Sequence, residues 1–125
     1  MLIQGKGIVV LLAVVFGSAA LHATQTERTA SGGAALQAHY DAAERFQKQG
    51  DLDKALADYD HASQLDPTYA AAYFSRGRIF EKKDDIARAR DEYNKAIAVP
   101  TKDRIAQWAQ DNARARLQAL AEPKK

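Results

Sequence analysis

"QGDLDKALADYDHASQLDP", Gln49 to Pro67, returns 34 residues later as "KDDIARARDEYNKAIAVP", Lys83 to Pro100. The same offset pairs His39 with Tyr73, Tyr40 with Phe74, Ala43 with Gly77 and Phe46 with Phe80. It continues through Gly50 and Asp84, Asp51 and Asp85, Leu52 and Ile86, Ala55 and Ala89, Tyr59 and Tyr93, Ala62 and Ala96. Pro67 and Pro100 miss the register by one residue, so the second copy is shortened just before its proline. Chance does not place this many like residues in register, and internal repetition decides the fold before any other pattern is read.

Each copy reads as two helices. Ala42, Ala43 and Phe46 line one face at three- and four-residue steps. Gly50 ends that helix, because glycine enters the left-handed conformation a C-terminal cap requires. Asp51 then caps the next helix through its carboxylate. Ala55, Tyr59 and Ala62 form the inner stripe of the second helix. Asp66-Pro67 stops it, since proline disfavours helix in the residue before it. In the second copy Asp84 takes the place of the turn glycine. Aspartate is among the few other residues that tolerate that region. Asp85 is the matching cap. Alanine at 43, 55, 62, 89 and 96 and Gly77 let helix backbones approach, and Phe46, Tyr59, Phe80 and Tyr93 fill the space beside them. Alternation of small and large residues at a fixed period is what a stack of helical hairpins requires.

These residues resemble the tetratricopeptide repeat family, in which 34 residues form a helix-turn-helix. The first copy, 36–69, supplies Ala43, Phe46, Ala55, Tyr59, Ala62 and Pro67, and departs at His39 and Ala42. The second, 70–100, supplies Tyr73, Gly77, Phe80, Ala89, Tyr93, Ala96 and Pro100, and departs at Arg76, where leucine is usual. The resemblance implies an all-α fold of antiparallel helical hairpins stacked as a short right-handed solenoid, with a binding role and no chemistry.

The segment 101–121 follows as a capping helix. Thr101 is its expected N-cap, and Ile105, Trp108, Ala109, Ala113, Leu117 and Leu120 make one apolar stripe that places Trp108 in the core. Pro123 closes it, within the tail 122–125. At the other end, 1–23 reads as a signal peptide: Lys6 and no acid, an apolar run from Ile8 to Phe16, then small residues. Cleavage after Ala20 or after Ala23 fits, and an uncleaved inner-membrane anchor is the alternative. Thr24 to Ala35, with Ser31-Gly32-Gly33 at its centre, reads as a flexible spacer.

The 125 residues leave room for one domain, and a net charge of +2 argues against a nucleic-acid partner. Without cysteine there is no disulfide, thiolate metal site or cysteine nucleophile. His39 and His61 stand 22 residues apart and read as structural. The carboxylates Asp51, Asp53, Asp58, Asp60, Asp84 and Asp85 lie along caps and outer faces, without the glycine and ligand count of a calcium loop. No phosphate loop or nucleophile elbow occurs, so neither an enzyme nor a cofactor is expected.

Transferred by alignment, the groove of the resembled family falls on Gln37, Tyr40, Glu44, Gln47 and Lys48 of the first copy. From the second come Phe74, Arg78, Glu81 and Lys82. Tyr40 and Phe74, in equivalent positions and outside the packing stripe, are the expected anchors for a partner. The lysine-asparagine clamp that grips a C-terminal carboxylate in some family members is absent. The expectation is an exported, periplasmic bacterial module that binds a protein or peptide in the groove. The alternative is a structural or self-assembling subunit of an envelope complex, because two repeats and a cap bury little.

Overall fold

A computed structural model describes residues 32–123. The expected signal peptide and most of the spacer lie outside the described residues. Five helices are present: α1 (32–49), α2 (Leu52–Leu65), α3 (Ala70–Lys82), α4 (Ile86–Ala98) and α5 (Arg104–Ala121), and there is no strand among the described residues. Gly32 to Ala35, read from sequence as spacer, form the first turn of α1. The packing described below belongs to the compact unit Ala35–Lys125.

The two turns are built alike. Gly50 and Asp84 both have positive φ, 82° and 59°. Asp51 N–H donates to the Phe46 carbonyl at 2.9 Å and Gly50 N–H to that of Gln47 at 3.1 Å. In the second copy Asp85 N–H reaches Phe80 at 2.9 Å and Asp84 N–H reaches Glu81 at 3.0 Å. This pair of bonds closes a helix end on a left-handed residue and satisfies carbonyls that would otherwise be orphaned. Asp51 and Asp85 then accept from the backbone N–H of Lys54 and Arg88, as N-caps. α2 stops at Asp66, whose extended backbone (φ −140°, ψ 98°) is the conformation a following proline imposes.

The core forms two clusters. Ala43, Ala55 and Tyr59 of the first hairpin receive Ile79 of the second. The larger cluster joins Phe74, Phe80, Ala89, Tyr93 and Ala96 to Ala106, Ala109 and Ala113 of α5. Tyr59 and Tyr93 are the largest wholly buried side chains, at equivalent repeat positions. Gly77 shows why a small residue is needed there. A Cβ on it would stand 2.5 Å from the Tyr93 ring. The all-α solenoid of stacked helical hairpins expected from the repeat is the observed fold.

Arg76, in the site where leucine is usual, is mostly buried between hairpins. Its guanidinium lies 3.4 Å from Asp60 on α2 and 3.4 Å from Glu92 on α4, and Lys95 reaches Glu92 at 2.8 Å. An ion cluster therefore occupies a place that the pattern reserves for an aliphatic side chain.

The last helix differs from expectation in two ways. Its N-cap is Asp103, which accepts from Ile105 N–H at 3.2 Å, while Thr101 Oγ1 accepts from Asp103 N–H at 3.0 Å. Its buried stripe is Ala106, Ala109, Gln110 and Ala113, so Ile105 and Trp108 face outward. The alanines let α5 sit close against α3 and α4; of the large residues expected on the inner stripe, Leu117 and Leu120 stay partly buried against the core, while Ile105 and Trp108 do not. Gln110 has its own reason to be buried. Its amide donates towards the carbonyls of Ala96 (3.1 Å), Ile97 (3.2 Å) and Val99 (2.6 Å). In the first copy Asp66 N–H bonds the Ala62 carbonyl at 3.1 Å and helps close α2. At the shortened end of α4 a side chain from the next helix supplies donors.

Candidate partner-binding groove

The first helices of the two hairpins lie side by side. Glu44, Gln47 and Lys48 on α1 meet Lys82 on α3 around one shallow depression of about 220 Å³. These four residues, expected from the repeat alignment, are thus brought together. Gln37 and Arg78 are exposed, and Gln37 donates to Asp41 one turn on at 2.8 Å.

Two expected residues have internal duties as well. Gln47 accepts from the Tyr59 hydroxyl at 3.0 Å. At the equivalent position Glu81 accepts from the Tyr93 hydroxyl and is gripped through both carboxylate oxygens by Arg116 of α5. The Arg116 hydrogen bonds outweigh the cost of burial and hold the Glu81 carboxyl below the usual carboxylate range. Burial pushes the Tyr59 and Tyr93 hydroxyls well above the usual tyrosine value, so both stay protonated and donate.

The expected aromatic anchors are placed differently from the alignment's suggestion. Tyr40 is half-buried between Tyr59 and Tyr69, with ring centroids 5.2 and 5.4 Å away, and its hydroxyl lies 3.3 Å from Ser75 Oγ. Phe74 is only 6% exposed and belongs to the core, so it is no free anchor. It is covered on one side by Tyr93 and on the other by Trp108. Trp108, placed in the core by its spacing, is 56% exposed. The exposed aromatic is therefore Trp108, with Ile105, also exposed, one turn away on the same helix. One signal could have found it: Tyr40, Phe74 and Trp108 stand at successive 34-residue steps.

The exposed groove charges are Lys48, Arg78 and Lys82 against Glu44. Glu81 adds little acidity because Arg116 neutralises it. Among the expected groove residues the exposed charge is thus mostly cationic, with the exposed Asp41 bonded to Gln37 on the same helix as Lys48. On the first hairpin His39 and His61, read from the sequence as structural, are brought together with Asp58.

Stacked helical hairpins with one lined face define a repeat protein, a class whose curvature makes a binding surface. Residues 43–84 match the TPR repeat family and residues 70–102 the Tetratricopeptide repeat family. These overlapping matches support a tetratricopeptide-repeat protein; such repeats in general mediate protein–protein interaction, and proteins built from them are in general non-enzymatic scaffolds. No curated protein matches the chain.

Proposed function

We propose that this protein is an exported interaction module that holds an extended or helical peptide of a partner protein in the α1–α3–α5 groove. The observation that carries the reading is the exposed Trp108 over Phe74 of α3, the helix that also bears the exposed Arg78 and Lys82. Such a surface suits a peptide with an apolar anchor and flanking acidic side chains. The indole supplies contact area and the cations steer the encounter. Export to the periplasm rests on the Lys6, apolar-run and small-residue pattern of Met1 to Ala23.

The test is a photo-crosslinking residue at Arg78, in the groove, expressed in the native host, with Asn94 on the outer face of α4 as control. Recovery of one different protein from the Arg78 probe and not from Asn94 supports the reading. Equal products from both positions, or none, overturn it. A second reading, self-assembly, is favoured by the exposure of Ile105 beside Trp108. It predicts that the Arg78 probe recovers only a second copy of this chain.

A further inference from the structure

His39 projects from α1, and Asp58 and His61 from α2, so that their ligating atoms all lie within 4.8 Å of one another. His39 Nδ1 is 2.9 Å from Asp58 Oδ1. The two imidazoles meet edge to face with centroids 4.9 Å apart and planes at 62°. Asp58 and His61 share a face of α2 because three residues make almost one helical turn. His39 and Asp58 are half-buried, while His61 is exposed and free to change rotamer. From this geometry we infer that His39, Asp58 and His61 form a binding site for a divalent transition-metal ion that clasps α1 to α2.

The chemistry selects the class of ion. Two neutral imidazoles and one carboxylate suit zinc, nickel or copper(II) and not calcium or magnesium, which take oxygen ligands. Zinc binds such atoms at about 2.0–2.2 Å and accepts three protein ligands with water in the fourth place. Donors spread over 4.8 Å must close in by about an ångström to fit those bonds. Rotation of the exposed His61 side chain can supply that movement with the helices left in place.

Packing does not call for these residue types. At the equivalent positions of the second hairpin stand Tyr73, Glu92 and Lys95. There the Tyr73 hydroxyl donates to the Pro67 carbonyl at 3.0 Å, and Lys95 donates to Glu92 at 2.8 Å. The same backbone sites thus work with a tyrosine bonded elsewhere and a lysine paired to the carboxylate. The first copy replaces both with imidazoles and turns a fold position into a ligand set. These side chains are not those that line the groove depression, so the clasp and the partner surface are separately testable.

The test uses the full chain, without a polyhistidine tag and carrying His22→Ala, so that His39 and His61 supply the only imidazoles. After chelation it is titrated with zinc by calorimetry, and with cobalt(II) followed by visible absorption. Saturable binding of one ion per chain is expected, with a tetrahedral-type cobalt spectrum and a raised melting temperature. His61→Lys and His39→Tyr install the second hairpin's residues and keep the fold. Each should weaken zinc binding by about tenfold or more, with helicity unchanged. Absence of saturable binding up to millimolar zinc overturns the inference. So does stoichiometric binding that both substitutions leave unaltered.

Discussion

Trp108 stands edge-on to Phe74, ring centroids 5.5 Å apart and planes at 80°, covering a buried side chain while it stays more than half exposed itself. The two aromatics therefore do different work. Phe74→Ala should cost about 3–5 kcal/mol, as for truncation of a core phenylalanine. Trp108→Ala should cost only about 1 kcal/mol, the worth of an aromatic pair. Urea unfolding followed by circular dichroism separates the two. Because Trp108 is the sole tryptophan, its fluorescence also reads the groove directly. Emission should be that of a solvated indole, should be quenched readily by acrylamide, and should become protected when a partner peptide binds.

The turn glycine and the packing glycine predict distinct outcomes. Gly77→Ala sets a methyl carbon 2.5 to 2.9 Å from ring carbons of Tyr93, so overpacking should cost about 1–3 kcal/mol. Gly50→Ala meets open space but holds a φ of 82°, and should lose about 1–2 kcal/mol from backbone strain alone. Gly50→Asp should lose less than Gly50→Ala, because Asp84 already occupies the same turn at a φ of 59°. Thermal melts of the three variants, ranked against the parent, check the order.

The link between α5 and the second hairpin should weaken in acid. The Glu81 carboxyl is held below its ordinary value by Arg116, so the folded state binds a proton less readily than the unfolded chain. Stability from the pair is thus fully present above the ordinary carboxylate range, near pH ~4.3. It is lost as pH falls through the lower folded value. Glu81→Gln keeps an acceptor for Tyr93 but removes the charge. Its cost should be about 1 kcal/mol at neutral pH, because Arg116 is half exposed and water screens the pair. The melting temperatures of parent and variant should converge as pH drops; a gap that stays constant into strong acid would refute the assignment.

Gln110 supplies an amide that the end of α4 lacks. Gln110→Ala should cost about 1–3 kcal/mol, because buried carbonyls at Ala96 and Val99 lose their side-chain donor. Gln110→Glu should cost more at neutral pH, since an ionised carboxylate only accepts and would face carbonyl oxygens. Part of that difference should disappear in acid as the carboxyl regains a proton. Chemical denaturation at two pH values provides the comparison.

The hairpins were legible in the chain because their signals are local. Gly50, Asp51, Asp84, Asp85 and the prolines act on their own backbone, and the spacing of Ala55, Tyr59 and Ala62 follows from helical geometry. The meeting of Glu44, Gln47, Lys48 and Lys82 around one depression was legible for the same reason: a repeated sequence repeats its faces. The expectation failed where no second copy set the reference. Rotating a helix by one residue turns its face by about 100°. The periodicity of α5 accommodates either Trp108 or Ala106 on the inner side. Close packing against α3 and α4, and the unclosed carbonyls at the end of α4, selected the alanine face and Gln110. That choice buried Phe74 under Trp108 and reversed the expected exposure of the two aromatics. The approach of His39 to Asp58 and His61 was equally hidden, since pairing across an antiparallel hairpin depends on where both helices begin and how each is turned. The sequence by itself determined the helices, the turns within the two hairpins and their order, through short-range backbone chemistry. Only the tertiary structure decided which side chains reach solvent and which meet, because that depends on packing between elements distant in the chain.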